Sequence, residues 1–175
     1  MQSHIRSLTT VALAFGAITT ATVVQGAEPI PIAGQFTCKI VEEQKSRVEG
    51  DPAHELILLK TSCDGHASGQ SAKFDGGQQT MVEVDDLIKG NGTIRGFDLI
   101  KYKDGSTEAD TYVGQQITTI ANGKSEWIAI GTWEQTHGTG SMANAQFRGT
   151  WKAKSTSETE YVIDWEGTLI EGGRQ

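Results

Sequence analysis

Three turn signals follow one another along the chain: Asn91-Gly92, Asp104-Gly105 and Asn122-Gly123. They separate the runs Met81–Lys89, Thr93–Lys103, Ser106–Ile120 and Ser125–Gln135. Asn-Gly and Asp-Gly between alternating runs are the strongest short-range hairpin signals, because both central positions of a type I′ turn require positive φ. Three in succession predict an up-and-down antiparallel sheet. No long segment has helical periodicity. Further strand candidates at Gln35–Glu43, Glu55–Cys63, Phe147–Ser155 and Glu160–Ile170 bring the count to about eight. A helix-free chain of this rhythm predicts an all-β fold, a single closed barrel of eight antiparallel strands, with a β-sandwich as the alternative. Gln44–His54 and the glycine-rich Asp64–Gln79 read as loops, and the second is long enough to cover a barrel mouth.

All four tryptophans lie between Trp127 and Trp165, and Trp133, Trp151 and Trp165 each have a glycine two positions away. Residues two apart on a strand share a face, so large and bare positions alternate, as in the interiors of small barrels. In the last two strands Phe147, Gly149, Trp151 and Ala153 alternate with Arg148, Thr150, Lys152 and Lys154, while Tyr161, Ile163, Trp165, Gly167 and Leu169 alternate with mostly polar residues. These predict an aromatic inner face and a wet outer one. Ser125–Gln135 is ambiguous, since Ile128 and Ile130 oppose its tryptophans.

The Met81–Tyr102 hairpin holds the chemical oddity. With a three-residue loop at Gly90-Asn91-Gly92, Val82, Val84, Asp86 and Ile88 share a side with Ile94, Gly96, Asp98, Ile100 and Tyr102. That register keeps the apolar rows together and sets Asp86 and Asp98 beside the Tyr102 hydroxyl. A two-residue turn would separate them. Carboxyls in an apolar interior have raised pKa values and can serve as general acids or bases, so Asp86, Asp98 and Tyr102 are the candidate polar groups of a pocket. The alternative is that they point outward or satisfy backbone groups.

Residues 1–26 read as a secretory signal peptide: a polar start with Arg6, an apolar run from Leu8 to Val24, and small residues at a cleavage site before Ala27. An uncleaved anchor is the rival reading. Residues 27–175 then form one domain, exported to a periplasmic or extracellular space, that buries about two-thirds of its unfolded surface. Only Arg6 is lost with the leader, which leaves 14 Lys+Arg against 22 Asp+Glu, a net charge of -8. Such a surface argues against nucleic-acid and anionic-lipid partners. Cys38 and Cys63 are the only cysteines, as expected for one disulfide in an exported chain, and closing it would stabilise the fold by ~3 kcal/mol. The competing metal reading has only the fragment Cys63-x-x-His66.

His54, His66 and His137 show no metal-ligand spacing, and no H-E-x-x-H, G-x-S-x-G, phosphate-binding loop or dinucleotide fingerprint occurs. No metal and no cofactor is expected. Trp127, Trp133, Trp151 and Trp165 could stack on a ligand or simply fill the core.

The run Gly138-Thr139-Gly140-Ser141-Met142-Ala143-Asn144-Ala145-Gln146-Phe147-Arg148-Gly149 resembles the glycine-rich segment of the allene oxide cyclase and dirigent barrel superfamily. There a G-T-G or G-S-G turn leads to a glycine-bearing strand late in an eight-stranded barrel. The resemblance implies an apolar cavity, a homo-oligomer that is often a trimer, and the steering of cyclisation or radical coupling. It assigns no catalytic residue by position. Gly131-Thr132-Trp133 is also similar to the G-x-W of lipocalins and the G-T-W of avidins, which carry it near the N-terminus. Three functional expectations follow: a cavity for a small, largely apolar ligand; a cyclase- or dirigent-like guide; or a packed structural barrel. Interior volume separates the last from the others, and whether the chain is an enzyme is left open.

Overall fold

The computed structural model describes residues 28–121 and 123–172. The leader and its cleavage site lie outside the described residues. Eight strands run in chain order: β1 Ile30–Val48, β2 Asp51–His66, β3 Gln78–Ile88, β4 Asn91–Lys101, β5 Thr107–Ala121, β6 Lys124–Thr139, β7 Ala145–Ser155 and β8 Glu160–Glu171. Each pairs antiparallel with its sequence neighbour, and β8 returns to β1 to close the barrel. Closure removes both sheet edges.

The disulfide forms between directly opposed residues, Cys38 of β1 and Cys63 of β2, both buried. Such a bridge fits an oxidising compartment. The inner faces of β7 and β8 are as the alternation predicts, with Phe147, Trp151, Ala153, Tyr161, Ile163 and Leu169 buried. The ambiguity in β6 resolves in favour of the tryptophans: Ile128 and Ile130 point out and Ala129 is buried.

Two expected loops are structured. Gln44–His54 is largely strand, with Gln44 opposite Leu58 and Arg47 opposite Glu55, so β1 and β2 form a long hairpin that turns tightly between Val48 and Asp51. Asp64–Gln79 carries a 3-10 helix, Gly69–Phe74. Its Phe74 is buried against Tyr102, Phe147 and Trp165, while the Ser71 hydroxyl accepts from the Ala33 N–H at 2.9 Å. This turn closes one end of the barrel as a floor.

All four tryptophans line a cavity of about 530 Å³. The barrel stays open because the rings lie along the wall. Trp165 sits opposite Gly34, Trp151 opposite Gly131, Trp133 opposite Gly149 and Tyr112 opposite Gly96 across the strand pairs. A Cβ at Gly131 would stand 2.6 Å from the Trp151 ring, and one at Gly149 would stand 2.8 Å from Trp133 Nε1. Bare backbone on one strand therefore receives the ring of the next.

The outer surface is asymmetric. Leu56, Leu58, Val82, Val84, Leu99, Val113, Ile128 and Ile130 are exposed on β2–β6, with Phe97 at 68% exposure. The outward residues of β7 and β8 include Arg148, Lys152, Lys154, Asp164 and Glu166. Among the described residues, no helix is long and apolar enough to cross a membrane.

Gly131→Ala forces its new methyl into Trp151 and the Val113 carbonyl oxygen. It should destabilise the barrel by about 1–3 kcal/mol in urea unfolding, the range for overpacking. It should also shift the tryptophan fluorescence of the native state.

Candidate functional site

The β3–β4 turn decides which side chains enter the cavity. Lys89 and Gly90 take its two central positions with φ of +54° and +77°, a type I′ geometry whose twist suits flanking strands. Ile88 then pairs with Asn91 and Leu87 with Gly92. Gly92 is needed there, since a Cβ would run into the Asp86 carbonyl oxygen. The expected three-residue loop is thus corrected to a two-residue one, centred two residues earlier than Asn91-Gly92. Asp86 consequently faces outward and bonds His54 Nε2 at 2.5 Å on the exposed surface. Val82, Val84 and Ile88 turn outward with it, and Met81, Glu83, Asp85 and Leu87 turn in.

Asp98 and Tyr102 do line the cavity. They are joined there by Glu83, Asp85, Glu108, Asp110 and Tyr112, none of which stood out in the sequence. Near the floor the Tyr102 hydroxyl donates to Glu108 Oε2 at 2.5 Å. Asp98 and Asp110 are directly opposed across β4 and β5 and share a hydrogen bond, which requires a proton on one of them. Gln79 lies beside Asp98, and its side-chain oxygen has no protein partner. Higher up, Glu83 and Asp85 form a second acidic pair. Tyr112 reaches over bare Gly96 and lies beside Glu83, with its hydroxyl left without a protein hydrogen-bond partner.

Burial pushes the Asp98 carboxyl up to about 7, and the nearby Glu108 charge adds to the effect. Asp85 is pushed up to about 9, first by burial, then by Glu83 and Glu43, against a smaller opposing pull from Lys45. Burial likewise raises Glu83, Glu108 and Asp110, with Asp110 and Asp98 adding repulsion for the last two. The phenols of Tyr102, Tyr112 and Tyr161 are raised by burial and stay neutral. The wall is therefore a set of largely protonated carboxyls that can donate or take up a proton near neutrality.

The cavity is amphipathic. Trp127, Trp151, Tyr112 and Tyr161 supply faces, with Trp127 and Tyr161 centroids 5.2 Å apart and Tyr112 edge-on to Trp151 at 6.1 Å. The acids occupy neighbouring wall on β3, β4 and β5. One signal for the missed groups existed: Asp85 and Asp86 are adjacent on a strand, so one had to point inward in either register.

No protein-family model matches the sequence, and no curated protein matches it. Among solved structures, the barrel is similar to a pterocarpan synthase dirigent protein, at 10% identity and a TM-score of 0.48, over 90% of this chain and 99% of that one. It is also similar to a protein of unknown function from Clostridium acetobutylicum, at 12% identity and a TM-score of 0.49, over 81% and 97% of the two chains. A protein of unknown function from Rhodopseudomonas palustris gives 11% identity and a TM-score of 0.46, over 81% and 99%. The similarity is one of fold. At these values none of those proteins' chemistry transfers to this chain.

A carboxyl whose folded pKa exceeds its unfolded value binds its proton more tightly in the native state. Its contribution to stability is full below about pH 4 and is lost as pH rises through the folded value. With Asp98 at about 7 and Asp85 at about 9, the melting temperature should fall by several degrees between pH 5 and pH 9. Asp85→Asn should flatten the upper part of that decline, as followed by circular dichroism.

Proposed function

We propose that the protein is an exported container, which takes one small molecule with a largely apolar body into the barrel. The observation that carries this reading is a cavity of about 530 Å³ whose wall includes Gln79, Asp85, Asp98 and Asp110, each with a buried side-chain oxygen that has no protein partner. Unsatisfied buried acceptors are costly, and a ligand that meets them relieves that cost. The volume lies within the ~300–1,000 Å³ of small-molecule sites. The cavity of about 530 Å³ beside the four tryptophans supports the container over the fully packed alternative.

A second reading is a guide of cyclisation within the same lumen. It is favoured by the Asp98–Asp110 pair, which shares a proton and has one member poised near neutrality. The pair can protonate a leaving group or accept a proton from an attacking one, while aromatic walls hold the substrate folded. Asp98→Asn should then abolish turnover and change ligand affinity only modestly; equal loss of both would leave only the container.

Native mass spectrometry of the mature protein, purified without detergent, tests the container. An added mass that disappears on denaturation is expected. A bare mass, together with exclusion of a neutral apolar dye, would overturn it. The same spectrum reads subunit number. We propose a homo-oligomer assembled through the apolar outer face of β2–β6, and a Phe97→Glu variant should then run as a monomer.

A further inference from the structure

We infer that the occupant of the lumen is an organic ammonium, a primary or secondary amine carried on an aromatic-sized apolar body. This inference rests on the container reading above and adds the chemical class of the ligand.

The wall lacks partners for several of its polar atoms. The unpartnered atoms of the acid-bearing wall are mostly oxygens: Gln79 Oε1 and one oxygen each of Asp85, Asp98 and Asp110. Gln79, Asp85 and Asp110 are each 5% exposed or less, so bulk water does not serve them freely. Gln79 lines the lumen, and its carbonyl oxygen has no protein partner. An alcohol brings one hydrogen to such a wall, and a ketone or ether brings none. A primary ammonium brings three N–H donors and a charge.

Charge points the same way. Among the described Lys and Arg residues, Lys45 alone lines the cavity, and it is half-exposed at the rim and paired with Glu43 at 2.9 Å. An anionic ligand would enter a lumen whose carboxyls oppose it without a buried cation in return. A cation supplies what the wall is missing: on entry, one protonated carboxyl gives its proton to solvent, and the resulting carboxylate pairs with the ammonium. The titratable groups lining the lumen are Glu43 and Lys45 from β1, Glu55 and His66 from β2, Glu83 and Asp85 from β3, Asp98 from β4, Tyr102 after it, Glu108, Asp110 and Tyr112 from β5, Glu158 before β8 and Tyr161 on β8. The carboxyls are spread along the wall, and no three of them close on one point among the described residues. That spread suits an extended organic cation. Tyr112 and Trp151 stand beside the acids and offer ring faces to an ammonium, at an attraction of roughly 0.5–2 kcal/mol for a desolvated contact.

The test is calorimetric titration of the mature protein at pH 7 with 2-phenylethylammonium and with 2-phenylethanol, its neutral counterpart, in two buffers of different ionisation enthalpy. The ammonium should bind at least tenfold more tightly and release about one proton per molecule bound. Asp85→Asn and Asp98→Asn should each reduce that preference by tenfold or more. The wild-type comparison stands even if a variant fails to fold. Equal affinity for the two probes, or binding of the neutral dye prodan without binding of the ammonium, overturns the ammonium inference and leaves the container intact. Exclusion of all three overturns both.

Discussion

The interior depends on one packing relation: an aromatic ring on one strand lies over a glycine on the next. An eight-stranded barrel is only just wide enough for its side chains to fill it. Four tryptophans pointing at its axis would occupy that space. Gly34, Gly131, Gly149 and Gly96 instead let Trp165, Trp151, Trp133 and Tyr112 lie against the wall. The apolar surface of each ring is still removed from water, but its bulk is spent on lining rather than filling. The cavity follows from that choice, as does the room for polar side chains to face inward at all.

Those polar side chains are nearly all acids. In a packed core, Glu83, Asp85, Asp98, Glu108 and Asp110 would be an intolerable concentration of like charge. In this barrel, protons stand in for counter-ions. Asp98 and Asp110 share one, Tyr102 donates to Glu108, and desolvation keeps the remainder neutral. The stability of the fold and the occupancy of the lumen are thus controlled by the same protons. Whatever enters and charges the wall must supply its own compensation.

Most of the architecture was legible in the sequence because it is written in local signals. Turn dipeptides and a two-residue period give the strand count and the inner faces of β7 and β8, and two cysteines give the bridge. The register of one hairpin was not legible. Asn91-Gly92 is the stronger turn signal by composition, yet the chain turns at Lys89-Gly90 and uses Gly92 to avoid the Asp86 carbonyl. A slip of that kind exchanges the faces, which sent Asp86 out to His54 and brought Asp85 in. The rule that apolar residues face inward also failed on β3 and β4, where Val82, Val84 and Phe97 lie outside. Local patterning cannot separate an acid-lined lumen with an apolar exterior from its inverse, because both alternate with the same period. Asp98 and Tyr102 were found because they sit among residues that point inward in either reading.

The pairing of β1 with β8 has a consequence for how the molecule is made. Seven of the eight strand contacts join sequence neighbours and can form as hairpins while the chain emerges. The eighth joins Gln35 to Asp164, whose side chains bond at 2.7 Å, across almost the whole length of the described chain. Contacts of such sequence separation form late and slowly, because the loop they close is long. Until the last strand arrives, β1 and its bridged neighbour β2 form one lip of an open sheet with unpaired backbone. The charged outward residues of β8 then act as a guard as well as a surface: they discourage β8, the other lip, from recruiting another chain before it meets β1.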